Sequence, residues 1–163
     1  MFGNPILDAL VFIFPAYCAN AVPVIFGGGF PLDGGKLFFD GKPIFGAHKT
    51  VRGFVSGLVI GTLVGFGMSF VIDYSVLLGF VVSLGALLGD LVEAFVKRRL
   101  GFASGAALPV ADQLDFVAGA LGLSFLVSPP PLHVAGVVLV ITPPIHLLTN
   151  LFAYVVGVKK EPW

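Results

Sequence analysis

The chain has 163 residues, of which 57% are hydrophobic and only 11% charged, with a formal net charge of zero. An average soluble domain carries about 25% charged residues, and a chain this short must expose much of its surface. With a mean hydropathy of +1.03, an ordinary soluble domain, a disordered chain and a basic-patch nucleic-acid binder are excluded, which leaves an integral membrane protein.

The expected fold is all-α: a polytopic transmembrane helical protein of about five spans, forming a single membrane-embedded domain over 1–163. The first span runs from about Pro5 to Phe26, with Asp8 and Asn20 inside it. Pro15 and Pro23 predict an irregular helix there. No basic residue precedes the apolar run, so it does not read as a cleaved signal. The second span, Phe54 to Ile72, is uncharged, and Gly53, Gly57, Gly61 and Gly65 recur along it every fourth residue. Small residues at that spacing let helix backbones approach closely, within one chain or between chains.

The third span starts near Tyr74, is uncharged to Gly89, and continues through Asp90, Glu93, Lys97, Arg98 and Arg99. A helix over 75–97 is about 33 Å long, so Asp90 lies about two turns inside the basic end. The fourth span, Asp112 to Ser128, is short and stops at Pro129-Pro130-Pro131. The fifth, Leu132 to Val158, lacks Asp, Glu, Lys and Arg, and its Pro143-Pro144 pair predicts a kink or break. The one cysteine, Cys18, excludes an intramolecular disulfide.

With five spans all nine cations fall on one side: Lys36, Lys42, Lys49 and Arg52, then Lys97 to Arg99, then Lys159 and Lys160. The positive-inside rule makes that side cytoplasmic, with the N-terminus outside and the C-terminus inside a cell membrane. The cytoplasmic loops are then about 27–53 and 98–113.

The polar residues gather in two segments. In Asp40-Gly-Lys42-Pro-Ile-Phe-Gly46-Ala-His48-Lys49-Thr50-Val-Arg52-Gly53, the residues Lys49, Thr50 and Arg52 are phosphate-contacting types at the mouth of a span. Anchoring to lipid headgroups is the alternative. In the second segment, Asp90, Glu93 and Lys97 share one helix face, and Asp112 and Asp115 share another. Carboxylates inside a span are costly and need cations. A structural ion-pair cluster satisfies that need. So does a hard divalent metal bound to a polyphosphate, since Mg²⁺ is usually held by one or two carboxylates plus phosphates. The residues point to a membrane enzyme or transporter for a phosphate-bearing molecule.

These segments resemble a known family. Gly89-Asp90-Leu-Val-Glu93-Ala-Phe-Val-Lys97-Arg98-Arg99-Leu-Gly101, then Ser104-Gly105, then Pro109-Val-Ala-Asp112-Gln113-Leu-Asp115-Phe116 is similar to the signature of the lipid cytidylyltransferases. Together with the 40–53 stretch and Pro15-Ala-Tyr-Cys-Ala-Asn20-Ala-Val-Pro23, the resemblance is to the archaeal branch, the CDP-archaeol synthases. The bacterial and eukaryotic relatives end the signature with Asp-Arg-x-Asp, where this chain has Asp112-Gln113-Leu114-Asp115, and Ala94 stands where relatives usually carry serine.

The resemblance implies transfer of CMP from CTP to 2,3-di-O-geranylgeranylglyceryl phosphate, an isoprenoid ether-lipid phosphate, with Mg²⁺ as cofactor and CTP, that lipid and membrane lipids as partners. It implies catalytic roles for Asp90, Lys97 and Asp112, and metal binding by Asp90, Asp112 and Asp115. Substrate contacts fall to Asn20, Lys42, Lys49, Thr50, Arg52, Glu93, Arg98, Ser104, Gly105 and Gln113. A non-enzymatic transporter or channel for an anionic substrate is the alternative. A CDP-alcohol phosphotransferase fits poorly, because Phe116 follows Asp115 and no charged residue occurs from 116 to 158.

Overall fold

The computed structural model describes residues 2–108 and 110–159. Lys160 lies outside them. Five helices follow in order: α1 Pro5–Phe26, α2 Val51–Ser69, α3 Val76–Arg99, α4 Ala111–Ser124 and α5 Leu132–Val155. Asn4 caps α1 by accepting the N–H groups of Ile6 and Leu7, and Ser75 caps α3 through Leu78 N–H.

α1, α2, α3 and α5 are long and apolar enough to cross a membrane. α4 is not. Its 14 residues rise about 21 Å, and the expected continuation to Ser128 gives way to a turn over Phe125–Val127. The segment through Pro131 leads into α5, whose Val134 and Val138 belong to the same buried cluster as Phe12, Tyr74 and Leu78.

The helices alternate in direction. The Tyr74 hydroxyl donates to the Phe12 carbonyl (3.0 Å), linking the first half of α1 to the α2–α3 turn. At the other end of α1, Pro23 abuts Gly53. Gly85 and Gly89 of α3 meet Gly119 and Asp115 of α4, which runs antiparallel to α3. All described cation-bearing segments therefore lie at one end of the bundle.

The glycine stripe on α2 packs within the chain. Gly53, Gly57, Gly61 and Gly65 are its buried positions. A Cβ at Gly61 would lie 2.8 Å from Ser83 Cβ and 2.9 Å from Ala19 Cβ, and one at Gly65 would lie 2.8 Å from Gly79 Cα. Large apolar side chains on the outside, such as Val55, Leu63 and Phe66, stay exposed, as a lipid-facing surface requires.

The prolines do not interrupt the helices as expected. α1 runs unbroken through Pro15 and Pro23, and α5 through Pro143 and Pro144. Proline removes one N–H from the ladder, and neighbouring groups can meet the freed carbonyl inside a membrane bundle. Pro23 frees the Ala19 carbonyl, and Gly57 packs closely on that oxygen.

Candidate active site

The site begins with a folded-back loop over residues 27–50. Leu32 N–H donates to the Lys49 carbonyl (2.7 Å), and Val51 N–H to Phe30 (3.0 Å). A second bridge joins Leu37 to Pro43. Asp33 locks the fold-back: its carboxylate is buried and accepts N–H groups from Gly35 (2.9 Å), Phe45 (3.0 Å) and Gly46 (2.9 Å). Burial pushes the Asp33 carboxyl up, but the three N–H donors outweigh it and hold it below the usual carboxylate value. Sequence reasoning missed Asp33, although Asp33-Gly34-Gly35 is a turn signal.

This loop delivers Lys49 to α3. Its ammonium donates to both oxygens of Asp90, at 2.6 and 2.7 Å. Two turns further along α3, the buried Lys97 lies 2.8 Å from Asp112 Oδ1 and 3.2 Å from Glu93 Oε1. Glu93 Oε1 is buried, and Lys97 is the cation beside it. Asp112 sits in the first turn of α4, where its other oxygen accepts Leu108 N–H (3.0 Å). The entry to that turn is strained: Val110 holds φ +71°, which costs a β-branched residue about 1–3 kcal/mol. Asp115 lies one turn on, beside Gly89, with Oδ1 bound to Phe116 N–H.

The four carboxylates thus stand on two adjoining helices but are not gathered at one point. Among the described residues no three His, Cys, Asp or Glu form a ready metal cluster. The expected set of Asp90, Asp112 and Asp115 is therefore not an all-protein cage. The donors are hard oxygens, which suits Mg²⁺ shared with a substrate's phosphates.

On the loop side of α3, Arg98 is only 5% exposed, and its Nε and Nη1 have no hydrogen-bond partner. It lines a cavity of about 520 Å³ with Asp33, Lys42, Gly46, Phe102 and Ser104. Gly46, at φ +99°, must be glycine on two counts, because a Cβ there would also lie 2.7 Å from Ser104 Oγ. Lys42 reaches from the cavity wall to the Arg99 carbonyl (2.8 Å). Arg99 pairs with Asp40 (2.7 Å) and lies over the rings of Phe38 and Phe95. Gly105 packs on the His48 ring.

Several expected substrate contacts are differently employed. Arg52 is turned to the end of α1, where Nε donates to the Phe26 carbonyl (2.8 Å) and Nη2 to that of Gly27. Thr50 is the N-cap of α2, accepting Gly53 N–H (3.2 Å). Asn20 is half-buried in α1 and joins none of these ion pairs. Gln113 lies in the first turn of α4, and its N–H donates to the Val110 carbonyl (3.2 Å).

A multi-pass helical bundle with carboxylates, ammonium groups and a buried guanidinium gathered at one end defines a class, the intramembrane enzymes. The chain belongs to the CarS-like family, described as CDP-archaeol synthase, whose model matches residues 2–163. It is 45% identical to the CDP-archaeol synthase of Pyrococcus furiosus, over 98% of this chain and 99% of that one. It is 44% identical to that of Methanococcoides burtonii, over 91% and 99%, and 40% identical to that of Methanocaldococcus jannaschii, over the whole of both. A solved structure of an intramembrane enzyme for archaeal membrane lipids biosynthesis superposes with a TM-score of 0.82 at 36% identity, covering 90% of this chain and 94% of that one. Family membership sets aside the transporter alternative.

Proposed function

We propose that the protein transfers the CMP group of CTP to 2,3-di-O-geranylgeranylglyceryl phosphate, releasing pyrophosphate, at the cytoplasmic face of the cell membrane. The observation that carries the reading is the buried guanidinium of Arg98, with two unpartnered nitrogens, on a cavity beside the loop that carries Lys49 to Asp90. An unpaired buried cation is costly, and a polyphosphate supplies the missing acceptors. The convergence of the basic segments at one end supports the cytoplasmic assignment.

The lipid phosphate is anionic at neutral pH and needs no side-chain nucleophile. One of its oxygens attacks the α-phosphorus of CTP. The bond from that phosphorus to the bridging oxygen breaks, and the electron pair leaves with pyrophosphate. The protein's work is positioning and charge neutralisation. Arg98 and Lys42 hold the triphosphate in the loop cavity. Asp90 and Asp112 would hold Mg²⁺ together with nucleotide phosphates, and Asp115 and Glu93 stand beside them. When bound, Mg²⁺ neutralises charge on the triphosphate. Lys49 and Lys97, paired with those carboxylates, keep the ammonium groups within the site, where they meet phosphate oxygens as substrates enter.

Incubating the purified protein with radiolabelled CTP, Mg²⁺ and the lipid phosphate tests the reading. A labelled CDP-lipid is expected, and its absence with every phosphatidate-like acceptor rejects it.

A further inference from the structure

A second cavity lies on the opposite flank of α3 from the Arg98 cavity. It is a groove of about 570 Å³ between α3 and α4, open on the outer side of the bundle. Its walls are two matched stripes. Leu88, Val92 and Val96 repeat every fourth residue on α3, and Ala111, Asp115, Ala118 and Gly122 follow helical spacing on α4. The polar groups are confined to one end, where Glu93, Lys97 and Asp115 line it. From Asp115 to Gly122 the groove descends about 10 Å toward the bilayer interior. A Cβ at Gly122 would meet nothing within 4 Å, so its missing side chain serves no packing need.

We propose that this α3–α4 groove seats one isoprenoid chain of the lipid phosphate and sets the enzyme's chain-length preference. The proposal rests on the cytidylyl-transfer reading above. Two features select this occupant. The groove is continuous with the ion-pair cluster, since the Glu93 and Lys97 that line it are those that meet Asp112. A chain lying there delivers its phosphate to the cluster without leaving the membrane. The charges at its head also fit: Lys97 meets an anionic head, and the acidic excess of Glu93, Asp112 and Asp115 is complementary to the divalent cation that a phosphate carries with it. A soluble anion needs no such apolar slot.

Gly122→Leu and Ala118→Leu fill the groove from positions whose surroundings are open. The experiment compares kcat/KM for the geranylgeranyl substrate with that for an analogue bearing two geranyl chains, in mixed micelles. Each variant should lower the long-to-short ratio about five- to tenfold, with an unchanged KM for CTP. Val140→Leu, on an exposed face of α5, is the control and should leave the ratio unaltered. A binding readout independent of turnover uses the lipid phosphate with a diazirine at the chain end. Its adducts should map to peptides of α3 and α4 in the wild type and fall in Gly122→Leu. If wild-type protein turns over the lipid but both variants keep the wild-type ratio, or the adducts map to α5 or α2, the groove assignment is overturned and the reaction stands. If wild-type protein makes no CDP-lipid while the adducts still map to α3 and α4, the reaction fails and the groove remains a lipid site.

Discussion

Lys49 binds both oxygens of Asp90, at 2.6 and 2.7 Å, from a position 41 residues earlier in the chain. This pair fastens the loop to α3, about two turns inside the basic end of a spanning helix. A carboxylate at that depth is costly, and Lys49 is the cation that answers it. Asp90→Asn keeps the shape and removes the charge. It should lower CMP transfer by about two orders of magnitude or more, with far-UV circular dichroism unchanged. Turnover at the wild-type rate in this variant rejects a metal- or phosphate-positioning role for Asp90.

Lys97 is shared by Glu93 and Asp112, and both its own side chain and that of Glu93 are nearly buried. Removing one partner of a buried ion pair costs about 3–5 kcal/mol, because the remaining charge is left unpaired. Lys97→Met should therefore lower the thermal midpoint in detergent as well as activity. The double variant Lys97→Met/Glu93→Gln should recover part of the stability and none of the activity. Thermal unfolding of the two side by side separates the structural part of Lys97 from the chemical part. Equal midpoints for the single and double variants would mean that Glu93 and Lys97 are not coupled.

Much of this was legible in the sequence because charge is scarce and hydrocarbon is unforgiving. Asp90, Glu93 and Lys97 share one helix face by spacing alone, and the structure has Glu93 and Lys97 paired. The α2 glycines announced close packing, and the structure supplies the partners, Ala19, Ser83 and Gly79. What spacing cannot give is which distant groups meet. Arg52 reads as a phosphate-contacting type at the mouth of a span, and spacing does not show that the end of α1 lies beside it, with carbonyls that lack intrahelical donors. Nor does spacing show that Thr50 caps α2. Pro15 reads as an irregularity and the Pro143-Pro144 pair as a kink or break because the rule for proline is local, whereas the packing that keeps those helices unbroken is tertiary. The early end of α4 turns on the same limit, since its depth is set by glycine contacts with α3.

The α2 stripe makes a contrast between two glycines of one helix. Gly61 faces Ser83 and Ala19 with no room for a Cβ, whereas Gly67 has nothing within 4 Å. Gly61→Leu should overpack the α1–α2–α3 contact and cost about 1–3 kcal/mol, read as a lower thermal midpoint and a loss of CTP turnover. Gly67→Ala should be neutral or slightly stabilising, since Ala is favoured over Gly in a helix by about 1 kcal/mol. A harmless Gly61→Leu would place α2 elsewhere in the bundle.

Asp33 ties the loop to acidity. Three backbone N–H groups hold its carboxyl below the ordinary value in the folded protein. A carboxyl with a depressed folded pKa stabilises the fold fully above its unfolded value, about 3.9, and that contribution is lost as pH falls through the lower folded value. The wild-type loop should therefore resist limited proteolysis between residues 27 and 50 at neutral pH, and lose that resistance progressively below about pH 4. Asp33→Asn offers one carbonyl oxygen in place of two charged ones and cannot serve all three donors. Its loop should be cleaved faster at pH 7, and its cleavage should respond less to pH than that of the wild type, the remainder coming from the Asp40–Arg99 and Lys49–Asp90 pairs. Because Gly46 is one of the three donors and also faces Arg98 across the cavity, the same variant should raise the KM for CTP. A wild-type KM in a variant whose loop is demonstrably loosened would separate the fold-back from the nucleotide cavity.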